Sequence, residues 1–213
     1  GQLDEAIVHY RKALPLYRTL QHKKGEGAAL NNIALIMLNQ GEYEQARYYS
    51  ERARQLKETI GDHIGAGIAH ATLGGIARRL GRYEEAIAHQ QQTLQLSQIA
   101  ADSPGQSEAY INLAHLYHLL GQRAMAEKQI NRGLTIARAL QDMNLEADAQ
   151  LCRGHINLGA ENLPEAQAAY ARNWELRRRL NQSNRAIDGR AGLARVALAQ
   201  EEWEQARVHV EYI

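Results

Sequence analysis

The strongest constraint in this sequence is a period of forty residues. Related six-residue segments begin at positions 1, 41, 81, 121, 161 and 201, among them GEYEQA at 41–46 and GRYEEA at 81–86. The sixth position of every segment is alanine. A fixed period of this length is typical of repeat proteins, in which one small helical or stranded unit stacks on the next. The chain is therefore expected to fold as an array of repeats.

Further columns spaced by forty residues indicate two amphipathic helices in each repeat. Positions 29, 69, 109, 149 and 189 carry Ala or Gly, and positions 36, 76, 116, 156 and 196 carry Ile, Leu or Val. Small residues on one helical face let two helix axes approach closely, and the apolar column packs between them. Ala, Leu, Gln, Arg and Glu dominate the composition, and all of them favour helices. We call the two helices of a repeat A and B.

The helix bounds follow from this pattern and from the turn residues. A B-type helix is expected at 2–20, and Gly41, Gly81 and Gly121 are expected to end the helices that precede them. A helices are predicted near 26–39, 64–80, 104–120, 144–159 and 184–200. B helices are predicted near 42–60, 82–100, 122–140, 163–180 and 202–213.

Three stretches carry a family resemblance. NNIALIMLNQGEYEQA (31–46), ATLGGIARRLGRYEEA (71–86) and INLAHLYHLLGQRAMA (111–126) resemble the tetratricopeptide repeat. The forty-residue length resembles the long-helix repeats of kinesin light chains, of the LGN/Pins group and of MalT-like bacterial regulators, and the resemblance covers essentially the whole chain. It implies an all-α, right-handed superhelical solenoid of stacked antiparallel helix hairpins, with about eleven helices.

The resemblance also suggests how the chain is divided. We expect a single array over 1–213, with a partial repeat at 1–22, repeats at 23–61, 62–101, 102–141 and 142–181, and a truncated repeat at 182–213. Neither end shows the polar capping helix that a finished solenoid needs. The chain is therefore expected to be part of a longer protein, and its uncapped ends would allow self-association.

Charge and composition disfavour several classes of partner. The 25 basic and 24 acidic side chains leave a formal net charge of +1, which gives no overall attraction to nucleic acid or to an anionic membrane. No apolar run approaches the length of a membrane span, and no signal peptide is visible. The single cysteine fits a reducing compartment. We expect a cytoplasmic protein without nucleic-acid or membrane partners.

Three residues depart from the columns. Pro15 falls inside the first predicted helix, where it is expected to cause a kink or an early break. Arg153 replaces an apolar residue of its column, so the fourth repeat is expected to pack differently. Arg123 replaces the aromatic or leucine residue of the turn motif. Both arginines are expected to reach solvent with their charged ends.

The resemblance implies that the A helices line an inner, concave wall. The residues beside the core columns are then candidates for contact with a partner, including the apolar Leu35 and Ala71 and the acidic Glu108. The candidate binding residues are Asn31, Asn32, Asn39, Thr72, Arg78, Arg79, Asn112, His115, His118, His155 and Arg195.

Asparagine suits a groove that holds an extended peptide, because its amide donates to a backbone carbonyl and accepts from a backbone N–H. Asn32, Thr72 and Asn112 share one column, which resembles the asparagine ladder of long-helix tetratricopeptide arrays. The alternative is that these side chains satisfy a neighbouring loop. Arginines on the wall would pair with carboxylates of a partner, or they are simply solvated.

Catalytic and metal chemistry find little support. His115, His118 and His155 would be brought together by stacking and could ligate zinc, but no acidic or thiolate companion is fixed by spacing. Cys152 lies three residues from His155, and no third group orients the pair. The seven arginines between 171 and 195 could bind phosphate or an acidic peptide, but helical spacing spreads them around the helix and favours a solvated face. We predict no enzyme activity, no metal and no cofactor.

The predicted function is that of a protein–protein interaction module, which binds a peptide or a partner domain in its concave groove. The alternative is a segment of a bacterial signal-transduction or transcription regulator that senses a small effector or a signalling peptide. A long polar groove would favour the first, and a closed apolar pocket would favour the second.

Overall fold

The structure is a computed structural model that describes the backbone of residues 2–211 and the side chains of residues 5–211. Eleven α-helices and no strand occur in the described backbone. The helices are α1 (Gln2–Thr19), α2 (Lys23–Gln40), α3 (Tyr43–Thr59), α4 (His63–Arg79), α5 (Tyr83–Ile99), α6 (Ser103–Leu119), α7 (Arg123–Ala139), α8 (Met143–Gly159), α9 (Leu163–Arg179), α10 (Ser183–Ala199) and α11 (Trp203–Glu211). The predicted all-α fold is confirmed, with α2, α4, α6, α8 and α10 as A helices and the others as B helices.

The linkers between helices share one conformation. One residue in each linker has a positive φ, and these residues recur every twenty positions from Gln21 to Glu201. In the first predicted turn motif, Gly41 has φ 82°, its amide donates to Leu38 O (3.2 Å), and the next amide donates to Met37 O (2.9 Å). These bonds satisfy carbonyls at the end of α2. Gly41, Gly81 and Gly121 end their helices in this way, as the sequence predicts.

The chain forms two compact units, Gly1–Ala109 and Tyr110–Ile213. In the first unit α1 to α5 pack sequentially, each on its neighbour, and α2 also contacts α4. In the second unit α7 to α11 pack in the same sequential way, and α8 also contacts α10. Antiparallel hairpins therefore stack within each unit. The predicted division into repeats of a single array stays a prediction.

The columns found in the sequence form the core. The alanines of the six-residue segments at 46, 86, 126 and 166 are completely buried. Ala69 and Ala109 of the small-residue column are also completely buried, and Ile76 and Ile156 of the apolar column are 2% exposed. Close helix approach therefore depends on the small residues, as the pattern predicts.

The structure differs from expectation at α1 and at the start of α2. The predicted early break at Pro15 is wrong, because α1 continues to Thr19. Pro15 is exposed, so water can reach the backbone carbonyl that loses its amide partner to the proline. Helix α2 begins three residues before the predicted position, because His22 acts as its N-cap: Nδ1 accepts from the Gly25 amide at 3.0 Å.

The two unusual arginines do not disturb their helices. Arg123 is exposed at the start of α7 and pairs with Glu127 at 2.8 Å. Arg153 is half-buried in the middle of α8, which is a regular helix over its whole length. Its helix therefore shows no break at the departure from the column.

Candidate functional site

The A-helix side of the first unit carries an apolar groove of about 450 Å³. Leu35 of α2 is 39% exposed there, and Ile64 and Ile68 of α4 are 47% and 48% exposed. Residues of α5 and of the start of α6 complete the lining. Adjacent exposed aliphatic side chains around a cavity are more informative than single ones, because such patches mark surfaces that bind partners or ligands. We call this cavity the α4 groove.

Small residues of α4 line the floor of the groove. Gly67 and Ala71 line the floor, and they share a helical face because they are four residues apart. Ile64 and Ile68 stand beside them with long side chains. Small residues at the floor and branched aliphatic residues beside it produce a concave apolar surface.

The polar groups of the floor are satisfied within the protein. The Thr72 hydroxyl lies within hydrogen-bond distance of two acceptors for its one proton, Asn31 Oδ1 (3.2 Å) and Ile68 O (3.0 Å). The Thr93 hydroxyl likewise lies near Gly67 O (3.1 Å) and His89 O (3.1 Å). A ligand therefore meets few unused donors at the floor, and its contacts there are mainly apolar.

The side of the groove formed by the start of α6 is acidic. Asp102 lines it as the residue that precedes α6, and one of its carboxylate oxygens accepts from the Gly105 amide at 3.2 Å. Glu108 lines the same side and is exposed. Two carboxylates beside an apolar surface favour a ligand that carries a positive charge next to its apolar groups.

The predicted residues of the first unit lie in different environments. Thr72 lines the groove, and Asn31 is only 7% exposed because it packs against Thr72. Asn32 is half-buried, and Asn39 is exposed at the end of α2. Of the predicted residues of this unit only Thr72 lines the groove, so the proposed ladder of Asn32, Thr72 and Asn112 stays a prediction.

The two predicted arginines of α4 lie at its C-terminal end. Arg78 is half-buried and Arg79 is exposed. Burial, followed by the charge of Arg79, lowers the pKa of Arg78. Neither residue lines the α4 groove.

Ile64 and Ile68 are not among the predicted binding residues, although the sequence carries a signal for them. In the column of Ile68 the other repeats carry Ala28, Glu108, Asp148 and Asp188. In the column of Ile64 they carry lysine, proline and asparagine. An apolar residue in a column that is otherwise largely polar or small indicates a surface that has a function in that repeat alone.

In the second unit the structure brings the predicted histidines together. The rings of His115 and His155 meet edge to face with centroids 6.4 Å apart, and the ring of His155 meets that of Tyr170 at 5.6 Å. His118 packs against Gly159, where an added Cβ would lie 2.8 Å from His118 Cε1. The three histidines thus share one side of α6 and α8.

The electrostatics of this histidine cluster favour neutral rings. Burial, followed by the charge of Arg195, lowers the pKa of His118. Burial, Arg195 and His118 lower the pKa of His155, and Asp188 opposes them. At neutral pH the imidazoles of His118 and His155 therefore offer a hydrogen-bond donor and acceptor each, and the exposed Arg195 supplies the positive charge.

The geometry does not form a metal site or an active cysteine. Among the side chains that the structure describes, no three His, Cys, Asp or Glu groups are placed to hold a metal ion. Burial raises the pKa of Cys152 to about 12. Its Sγ is 3.8 Å from Ile111 O, to which it donates. A buried protonated thiol is not a nucleophile, so the Cys152–His155 pair is not a catalytic one.

The arginines between 171 and 195 do not form one solvated face, and that interpretation is wrong. Arg177 is 1% exposed, and it donates to Gln182 Oε1 (2.7 Å), to Asn144 Oδ1 (3.2 Å) and to Asp148. Arg172 is paired with Glu146 at 3.2 Å. The acceptors on α8 are about thirty residues away in sequence, which is why the spacing of the arginines alone could not reveal these pairs.

None of the described helices is long and apolar enough to cross a bilayer. No sequence of a curated protein matches the chain significantly.

Solved structures show the same fold at low sequence identity. BtubC (BKLC) from P. vanneervenii aligns with a TM-score of 0.81 and 16% identity, over 99% of this chain and 89% of BtubC. A Rap protein in complex with competence and sporulation factor aligns with a TM-score of 0.76 and 17% identity, over 99% of this chain and 57% of the Rap protein. A kinesin light chain-like protein of Podosopora anserina with TPR-like repeats aligns with a TM-score of 0.65 and 15% identity, over 87% and 92% of the two chains.

The chain spans little more than half of the Rap protein, and at these identities the likeness concerns the fold alone. The sequence itself gives the family. The model of the tetratricopeptide repeat matches residues 1–59, 26–98 and 65–139, which together cover well over half of the chain. This chain is therefore a member of the tetratricopeptide repeat family.

Proposed function

We propose that this chain is a non-catalytic protein–protein interaction module whose α4 groove holds an extended peptide. The observation that carries the proposal is the exposure of Leu35, Ile64 and Ile68 around one cavity. A peptide with apolar side chains at alternate positions would cover these residues, and a lysine or arginine of the peptide would face Asp102 and Glu108.

The energetics require contacts beyond the groove. Burying the exposed part of three aliphatic side chains contributes roughly 1 kcal/mol each. Micromolar binding needs about 8 kcal/mol, so hydrogen bonds to the peptide backbone and ionic contacts must supply the rest. In the first unit Asn32, Asn39 and Arg79 are the candidates for this role.

The second unit has its own candidate contacts. Asn112 and Arg195 are exposed. The charge of Arg195 contributes to the lowered pKa values of His118 and His155. We propose that Asn112, His115, His118, His155 and Arg195 take part in polar recognition of the same or another partner. The Rap protein of similar fold was solved in complex with competence and sporulation factor, which supports ligand binding by an array of this kind.

Selection from a random peptide library on the immobilised chain tests the proposal. Enriched peptides would be synthesised and titrated against the wild-type chain, Ile68→Asp and Val8→Asp. Val8 on α1 is a matched control because it is also 48% exposed and does not line the groove. Circular dichroism would show that each variant keeps its helix content.

We expect enriched peptides to be rich in apolar residues with at least one basic residue. Ile68→Asp places a charge against the apolar side chains of the peptide, so it should weaken binding at least tenfold, whereas Val8→Asp should leave the Kd within twofold. Equal binding by both variants would mean that the groove is not the peptide site.

The effector-sensing alternative is supported by the size of the cavity, because 450 Å³ lies in the range of small-molecule pockets. A small apolar effector would fill the α4 groove alone. In that case the library yields no enriched peptide, and a small apolar probe such as anilinonaphthalene sulfonate binds with a Kd that Ile68→Asp weakens and Val8→Asp does not.

A further inference from the structure

A second cavity, distinct from the α4 groove, lies between α9 and α10. Its volume is about 530 Å³, and we call it the α9–α10 pocket. The side chains of Trp174 and Arg178 on α9 form one wall. The opposite wall belongs to α10 and its first turn: Ser183, Ala186, Ile187 and Arg190.

The pocket concentrates positive charge on an aromatic surface. The guanidinium carbons of Arg178 and Arg190 lie 4.9 and 5.2 Å from the centroid of the Trp174 ring. A guanidinium in cation–π contact with a ring can still donate hydrogen bonds through its N–H groups. Arg190 Nη2 donates to Val208 O at 3.3 Å. Two guanidiniums therefore lie at the same aromatic ring.

The acid nearest in sequence to Arg178 is already engaged. Glu175 on α9 is paired with Arg172 at 3.0 Å and with Arg179. The Arg178 guanidinium instead contacts the Trp174 ring. The pocket therefore favours an anionic group from outside the chain.

Two other repeats show which anion fits this position. Arg18, 160 residues before Arg178 and in the same column, pairs with Glu26 across the α1–α2 junction at 2.7 Å. Arg138 of that column pairs with Glu146 across the α7–α8 junction at 3.6 Å. Both glutamates are largely buried, with side chains 14% and 13% exposed. The junction therefore accommodates a glutamate carboxylate beside the arginine.

At the α9–α10 junction the glutamate is missing. Ala186 occupies the position of Glu26 and Glu146, it is 6% exposed, and it lines the pocket. The arginine is kept while its internal carboxylate partner is replaced by a methyl group. The space that a glutamate side chain fills in the two other junctions is therefore open here.

We propose that the α9–α10 pocket binds a glutamate side chain of an acidic segment on a partner protein. The incoming carboxylate takes the place of the missing internal glutamate and accepts hydrogen bonds from Arg178, with Arg190 adding to the attraction. The methylenes of the glutamate pack on Trp174 and Ile187. This site does not depend on the α4 groove. The pocket favours an acidic group of the partner, whereas the groove favours a basic one.

Tryptophan fluorescence provides a direct test. The chain has two tryptophans, so a Trp203→Phe background reports on Trp174. The probes are a capped oligoglutamate peptide, a capped oligoglutamine peptide of the same length and inorganic phosphate, all at physiological ionic strength. We expect saturable binding of oligoglutamate and none of oligoglutamine.

Three variants distinguish binding of oligoglutamate in the pocket from non-specific electrostatic attraction to the chain. Ala186→Glu should abolish binding, because it restores the internal ion pair seen at Glu26 and Glu146, and circular dichroism should show unchanged helix content. Arg178→Gln should weaken oligoglutamate binding about tenfold, since a charge-assisted hydrogen bond is lost. Arg179→Gln removes the same charge from the next residue, which lies outside the pocket, and should leave the Kd within twofold.

Several results would overturn the proposal. Binding that survives Ala186→Glu, or that Arg178→Gln and Arg179→Gln weaken equally, would mean that oligoglutamate does not occupy the pocket. Phosphate binding as tightly as oligoglutamate would contradict a site shaped for a glutamate side chain. A dimer in sedimentation velocity that Ala186→Glu dissociates would assign the pocket to a second copy of the chain.

Discussion

The Nδ1 atoms of His70 on α4 and His89 on α5 lie 3.0 Å apart. His70 Nε2 also lies 3.5 Å from Glu58 Oε1 on α3. A carboxylate accepts hydrogen bonds, so the neutral His70 ring carries its proton on Nε2, and its Nδ1 then accepts from the Nδ1–H of His89. Both rings are neutral in this arrangement, and a second proton on His70 would occupy the accepting Nδ1 and break the hydrogen bond.

The surrounding groups favour the neutral pair. Burial, followed by the charge of Arg54, lowers the pKa of His70, against the opposing effects of Glu58 and Glu51. Burial, followed by His70, lowers the pKa of His89. Arg47 also lowers the pKa of His89, and Glu85 and Glu51 oppose it.

We predict that the chain loses stability in mild acid. Because both pKa values are lower in the folded state, the unfolded state binds more protons as the pH falls below the ordinary histidine pKa of about 6.5. The histidine pair therefore contributes its full stabilisation of the folded state above that pH. This stabilisation decreases as the pH falls toward the lowered pKa values. Thermal melting at pH 7.5 and 5.5 should show a lower Tm at the acidic pH.

The double variant His70→Gln/His89→Gln should show a smaller difference between the two pH values. His118, His155 and His209, whose pKa values are also lowered, will keep part of it. His9→Gln is the control, because His9 is exposed on α1. An unchanged pH dependence in the double variant would contradict the assigned role of the pair.

Lys57 illustrates a buried charge that the fold satisfies. It is 5% exposed at the end of α3, and Nζ donates to Asp62 Oδ2 (2.8 Å) and to Lys24 O (3.2 Å). Burial opposes ionisation of Asp62, but hydrogen bonds from Lys57 and the Gly65 amide outweigh it and lower the pKa of Asp62. Lys57→Ala should therefore lower the free energy of unfolding by about 2–4 kcal/mol, since it leaves a partly buried carboxylate without its partner.

Urea unfolding measures this effect, and Lys24→Ala is the matched control. Lys24 is an exposed lysine of the neighbouring helix, so its side chain should contribute less than about 0.5 kcal/mol. Similar values for the two lysines would show that the pair of Lys57 and Asp62 contributes little.

The period and the columns were enough to predict the helices, because helix bounds depend on local turn residues and on one apolar face. All ten linkers fall where the sequence places them, within a few residues. Pro15 was misjudged because the cost of an interior proline depends on which side of the helix faces water.

The candidate sites depended on pairs that are distant in sequence. The α9–α10 pocket requires Arg178 to be compared with Arg18 and Arg138, and their partners stand eight residues further along in each case. The loss of the glutamate opposite Arg178 can be recognised only after the structure shows which column of residues faces the arginine column. The α4 groove similarly required knowing that Ile64 and Ile68 do not enter the core.

A tyrosine between two glycines gives a third prediction. Tyr170 on α9 is completely buried, and an added Cβ at Gly154 or Gly192 would lie 2.5 or 2.3 Å from its ring. Gly192→Ala should therefore lower the free energy of unfolding by about 2 kcal/mol through overpacking. Gly75→Ala on α4 is the control, because its Cβ would meet only Leu38 Cδ2 at 3.4 Å. That change should be neutral or stabilise by up to about 1 kcal/mol through helix propensity. Urea unfolding measures both variants. A destabilisation of similar size at the two positions would mean that contact with Tyr170 does not determine the loss of stability.

Two neighbouring alanines allow the cost of the linker conformation to be measured. Ala101 has φ 54°, in the left-handed region, whereas Ala100 has φ −80°. The left-handed conformation costs a residue with a Cβ about 1–2 kcal/mol, and glycine adopts it freely at a smaller entropic cost. Ala101→Gly should therefore raise the free energy of unfolding by about 0.5–1 kcal/mol, and Ala100→Gly should lower it by about 0.5–1 kcal/mol. Both variants make the same chemical change one residue apart, so their opposite signs in urea unfolding isolate backbone conformation as the cause. If both variants changed the free energy of unfolding in the same direction, the linker would not impose a left-handed conformation on Ala101. The backbone would instead relax around this residue.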